Sequence, residues 1–153
     1  MPLSQAPPSG DLAALAGNDN QLRADEANLL AAVNQLRRES GLRPLQLSAP
    51  LERVARQHSY DMSASSRLSH AGSDGTSPVQ RLHTAGINYA LTGENIYKEQ
   101  NPDSTLLAKR AVQGWLSSAP HRKNLLSPDF NQTGIGVAHS NGATYVTEDF
   151  VKE

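Results

Sequence analysis

The chain holds 153 residues with 14 basic and 15 acidic side chains and a formal charge of −1. That is one domain's worth of sequence, without the single-sign field that draws a protein to nucleic acid or to an anionic membrane. There is no cysteine, which excludes disulfides, cysteine-zinc sites and thiol catalysis, and no apolar run approaches the roughly 18 residues of a membrane span.

Residues 1–22 read as a flexible leader. Pro2, Pro7, Pro8, Gly10 and Gly17 punctuate small and polar residues, and the first aromatic of the chain is Tyr60. Such a segment offers too little apolar area to offset its ordering entropy. It lacks the basic start and apolar stretch of an intact signal peptide and fits the tether left after a longer precursor is processed. A cytosolic protein with a ragged end is the plainer alternative. Residues 23–153 form the expected domain.

From Asp25 to Ser40 the pattern is helical, with Leu29, Leu30, Val33 and Leu36 on one side and Gly41 as the stop. Residues 43–47 read as a short extended link. Ser48 caps a second helix that carries Pro50 in its first turn and runs to about Ser65. Its apolar stripe includes His58, which the spacing places in the core. Residues 69–75 form a polar, glycine-rich loop. Ser77 and Pro78 open a short helix that Gly86 closes. Residues 90–97 read as a brief strand or loop. A helix from Asp103 or Ser104 puts Leu107, Ala111, Gly114 and Trp115 on one face, and Pro120 interrupts it before one further turn over 121–126. The chain ends in a hairpin, 133–139 and 143–151, around Asn141-Gly142. Helices around an antiparallel hairpin predict an α+β layered fold.

Several segments, taken in order, carry a resemblance. They are Ala55 with His58-Ser59 and Asp61-Met62; Ser69-His70; Gly93-Glu94-Asn95-Ile96; Trp115, then His121-Arg122 with Asn124-Leu125-Leu126; Phe130; Gly134-Ile135-Gly136-Val137; and Tyr145-Val146-Thr147 with Phe150. This set resembles the CAP superfamily of cysteine-rich secretory, antigen 5 and pathogenesis-related class 1 proteins, and most of all its compact, cysteine-poor bacterial branch, over residues 28–151. The resemblance implies an α+β fold, a three-layer α-β-α sandwich with a small central antiparallel sheet. It also implies a secreted, cell-surface or periplasmic protein and a cleft built from two histidines and two acidic residues.

By motif the cleft residues are His70, Glu94 and His121. The second glutamate of the family follows the tryptophan, and here Trp115 is followed by Leu116, Ser117 and Ser118. Glu148 is the candidate replacement, although its strand face is shared with Val146 and Phe150. Two imidazoles and a carboxylate make a ligand set for Zn²⁺ or another divalent cation, with His70 and His121 as the metal ligands. The same groups could instead form a hydrogen-bonded cluster that ties loops together. Ser69 beside His70 admits a Ser/His/Glu hydrolase, but no nucleophile elbow of the Gly-x-Ser-x-Gly type occurs.

The preferred reading is a binding module for an extracellular ligand or partner. The resemblance puts lipids and sterols among the candidates, although seven aromatic residues leave little material for a large aromatic pocket. A peptidase-like hydrolase, metal-dependent or of the Ser/His/Glu type, is the alternative.

Overall fold

The computed structural model describes residues 9–100 and 103–153. Helix α1 spans Ser9–Glu39, strand β1 Gln46–Leu47, α2 Ala49–Ser65, α3 Pro78–Thr84 and β2 Leu91–Glu99. A 3₁₀ turn at Ser104–Leu106 leads into α4 (Leu107–Leu116), α5 (Ala119–Leu125), β3 (Gln132–Ser140) and β4 (Ala143–Lys152). The four strands lie in the order β1-β3-β4-β2. Both long pairings are antiparallel, and the two-residue β1 joins β3 in parallel. The expected extended link at 43–47 therefore becomes, in part, an edge strand.

Strand parity distributes the side chains between two helical layers. Ile135, Val137, Val146 and Phe150 face α1 and α4 in the main core, with Leu29, Val33, Ala111 and Trp115. Tyr145 and Ile96 face Met62 of α2 on the other side, and Val151 meets Leu51 and Leu82 of α2 and α3. This is the expected three-layer α-β-α arrangement, and it explains why β4 is buried along nearly its whole length.

The Gly-Ile-Gly-Val segment has a direct physical reading. A Cβ on Gly134 would lie 2.2 Å from the backbone of Leu51 and Glu52, and one on Gly136 would lie 2.2 Å from the backbone of Arg56. Glycine on alternate positions lets α2 lie against the sheet itself, while Ile135 and Val137 fill the opposite face. Ser59 fastens this approach, its Oγ donating to the Gly136 carbonyl at 2.8 Å and sharing a 2.8 Å hydrogen bond with Thr147 Oγ1.

The predicted punctuation holds. Ser48 caps α2 by accepting from Leu51 N at 3.3 Å, and Ser77 with Gln80 forms a reciprocal capping box on α3. Asn141 and Gly142 turn the hairpin with φ of 54° and 77°. The first helix differs from expectation: it begins at Ser9, not Asp25, so the 22/23 boundary falls inside α1. Leu22 extends the face of Leu29 and Val33 by two more helical turns and is already in the core. The first part of the leader, residues 1–8, lies outside the described residues.

Candidate functional site

The loop after α2 delivers His70. Ser66, in the left-handed conformation at φ 53°, ends the helix. His58, buried in α2 as its stripe predicts, then reaches the loop: its Nε2 lies 2.7 Å from the Ser69 carbonyl and donates to it. Asp61, one helical turn on, accepts from the Ser73 amide at 2.8 Å and from the Ser73 hydroxyl. The Gly72 amide donates to Thr76 O at 2.8 Å and closes the loop on itself.

Glu94 enters from β2, its side chain only 3% exposed. His70 Nδ1 lies 2.9 Å from Glu94 Oε1 and supplies the proton of that hydrogen bond, because an ionised carboxylate only accepts. The other oxygen, Oε2, accepts from Arg81 Nη2 at 2.8 Å. Arg81 also donates from Nη1 to the carbonyls of His70 at 2.9 Å and Thr76 at 3.1 Å. Asp149 stands directly opposite Glu94 in the β2–β4 pairing and shares a hydrogen bond with it. Burial, and then the neighbouring Glu94 charge, push the Asp149 carboxyl well above the usual range. Asp149 is therefore the member of the pair that keeps a proton more readily. Burial alone would raise Glu94 too, but the hydrogen bonds from His70 and Asp149 and the Arg81 guanidinium outweigh it and hold Glu94 below its ordinary value.

His121 comes from the first turn of α5. Its carbonyl accepts from Asn95 Nδ2 at 3.0 Å, and Asn124 Nδ2 donates to Asn95 Oδ1 at 2.9 Å. Gly93 permits this seam, since a Cβ there would lie 2.6 Å from Asn124 Oδ1. The Gly-Glu-Asn triplet and the His-Arg-x-Asn segment are thus two sides of one contact. The His121 imidazole is lowered by burial and then by the nearby His70, so the two rings stand within electrostatic reach of each other.

His70, Glu94 and His121 are therefore brought to one edge of the sheet, on β2. Glu148 is not: it faces the opposite side, where Thr133 Oγ1 donates to its Oε2 at 2.8 Å and the charge of Arg37 on α1 acts on it. The physical reason is strand alternation, which sends residues 148 and 149 to opposite faces. The second carboxyl beside Glu94 is Asp149. The expected three-ligand metal set also changes. Both oxygens of Glu94 are engaged by His70 and Arg81, and among the described residues no three His, Cys, Asp or Glu side chains converge as a ligand group.

Sequence reasoning missed Arg81 and Asp149. Asp149 carried a signal: it shares its strand face with Tyr145 and Thr147, not with the apolar Val146 and Phe150. Arg81 carried none, being one of several basic residues on short helices. Trp115 is a core anchor whose Nε1 donates to Ile96 O at 2.9 Å. His83 and His139 lie at the surface as expected.

Residues 30–150 match the model of the cysteine-rich secretory protein family, CAP. YkwD, an uncharacterised protein of Bacillus subtilis, is 33% identical over 121 residues, which cover 79% of this chain and 45% of YkwD. An extracellular protein of Bacillus anthracis containing an SCP domain superposes with a TM-score of 0.75 at 30% identity, over 86% of this chain and 41% of that one. An outer surface protein of Borrelia burgdorferi has the same fold, with a TM-score of 0.76 at 24% identity over 85% of this chain and 93% of its own. The chain thus spans less than half the length of YkwD and of the Bacillus anthracis protein.

Proposed function

The chain belongs to the cysteine-rich secretory protein (CAP) family, and from that premise we propose that it is a secreted or surface-held binding module whose cleft takes a divalent cation through His70 and His121. The observation that carries this reading is the 2.9 Å hydrogen bond from His70 Nδ1 to Glu94. A carboxylate on one ring nitrogen fixes the tautomer and raises the basicity of the other. Nε2 is then left as the free lone pair, on a side chain that is 50% exposed. His121, which burial and then the nearby His70 push below the ordinary imidazole value, is the second donor. Paired imidazoles suit Zn²⁺, Cu²⁺ or Ni²⁺. A cation held by only two protein ligands would keep open positions for an oxygen or nitrogen of an incoming extracellular ligand. Glu94 serves behind His70, not as a third ligand.

The binding reading has more support than the Ser/His/Glu one. The Ser69 hydroxyl accepts from the Ala71 amide at 3.1 Å, and the imidazole at Ser69 is His58, which meets its carbonyl. A nucleophile would need its own hydroxyl on the base.

Calorimetric titration with Zn²⁺ tests the proposal. The wild-type protein is expected to bind one equivalent, and His70→Ala and His121→Ala are each expected to weaken binding by at least ~10-fold. Equal affinity in all three proteins would overturn it.

A further inference from the structure

His70 is directed by Glu94, and Glu94 is itself held from behind. The guanidinium of Arg81 reaches three acceptors on two separate stretches of chain: the His70 and Thr76 carbonyls of the 69–77 loop and Glu94 Oε2 of β2. Its side chain is 13% exposed, so these contacts are made largely out of water. The helix that presents it is short but well terminated, with a capping box at Ser77 and Gln80 and a left-handed stop at Gly86. A planar fork can meet three such acceptors at once, whereas the single ammonium of a lysine cannot hold the same geometry.

Two consequences meet at His70. Occupying Oε2 leaves Oε1 as the oxygen that faces the ring, which prevents the carboxylate from turning about its broad terminal torsion. Gripping the His70 carbonyl sets the backbone from which the ring hangs. We propose that Arg81 is a positioning residue that sets the tautomer of His70, keeping the proton on Nδ1 and turning Nε2 outward. The proposal deepens the cation-binding reading, because Nε2 is the nitrogen that reading needs. A merely structural Arg81, tying α3 to the 69–77 loop, would leave the tautomer unchanged.

The experiment reads the ring nitrogens of His70 by ¹⁵N NMR in the metal-free protein, about two pH units above the ordinary histidine pKa. Wild-type, Arg81→Gln and Arg81→Lys proteins are compared, and each is titrated with Zn²⁺. The wild type is expected to show a protonated Nδ1 and a bare Nε2. Arg81→Gln is expected to show a mixture of tautomers and ~10-fold weaker Zn²⁺ binding, in the range seen when groups behind a metal ligand are removed. Arg81→Lys keeps the charge, so it serves if the glutamine variant does not fold; it is expected to shift the tautomer in the same direction. An unchanged tautomer in whichever variant folds would overturn the proposal. A shifted tautomer in a protein whose wild type takes no Zn²⁺ would uphold Arg81 as the positioning residue and sink the cation reading. Zn²⁺ binding by the wild type with no tautomer change on substitution would do the reverse.

Discussion

Glu148 and Asp149 are neighbours in β4, and they open onto two quite different places. On the α1 face, Glu148 is fully buried beside Arg37, whose guanidinium donates to the carbonyls of Arg43, Leu125 and Ser127 at 2.8–2.9 Å. On the α2 face, Asp149 is buried beside Glu94, which is bonded to Arg81 and, through His70, reaches solvent. Both faces combine an arginine with buried carboxyl groups. The difference is the outlet. The closed cluster ties the end of α1 to the 125–130 turn, so its hydrogen-bonding capacity goes into backbone. The other ends in a half-exposed imidazole, so it has a donor to offer a ligand. Buried charge alone is therefore a poor guide to function; a path from it to the surface is the better one.

Arg37→Ala should cause the largest change. It leaves the carbonyls of Arg43, Leu125 and Ser127 without a donor, a loss of ~3–5 kcal/mol at about 1–2 kcal/mol each. Thermal melts are expected to show it as a fall of about 10 °C in Tm. Arg81→Gln, on the side with an outlet, is expected to lose less than half as much. Equal losses would erase the distinction between the two clusters.

The next effect is a pH dependence. Burial pushes the Glu148 carboxyl up to about 8 from an unfolded value near 4.5. Between those values the folded chain keeps a proton that the unfolded chain has released, so stability falls as pH rises through this window and levels off above about 8. Glu148→Gln carries no such proton. Urea melts from about pH 5 to about pH 8 should give it a flatter profile than the wild type, improving its relative stability as pH rises. Parallel profiles would show that Glu148 is ionised throughout, and the closed cluster would then be an ion pair.

The smallest effect should come at the seam between β2 and α5. Gly93→Ala brings a methyl to 2.6 Å from Asn124 Oδ1, so the asparagine must shift. A stability loss of ~1 kcal/mol is expected from such overpacking. A few-fold weaker Zn²⁺ response is also expected, because Asn95 and Asn124 place His121. A normal Zn²⁺ response with the stability loss intact would mean that His121 does not depend on this seam.

Much of this was readable along the chain. Caps at Ser48 and Ser77, stops at Gly41 and Gly86 and the Asn141-Gly142 turn are local chemistry, and each holds in the structure. The ordered motifs pointed to the family and named His70, Glu94 and His121. The start of α1 was misread because the punctuation of the leader hid Leu22, which belongs to the same helical face as Leu29 and Val33. Glu148 is the cleft candidate by its place in the hairpin, and strand alternation turns it to the other face, leaving Asp149 opposite Glu94.

The sequence by itself determined which way most residues face: periods of 3.6 and 2 assign faces within the helices and strands that can be read locally. Only the tertiary structure decided which side chains meet there. Asp149 lies beside Glu94 because β2 pairs with β4 in one particular register, and Arg81 reaches them because α3 packs at that edge. Such contacts join segments far apart in the chain, and local periodicity carries no information about distant register.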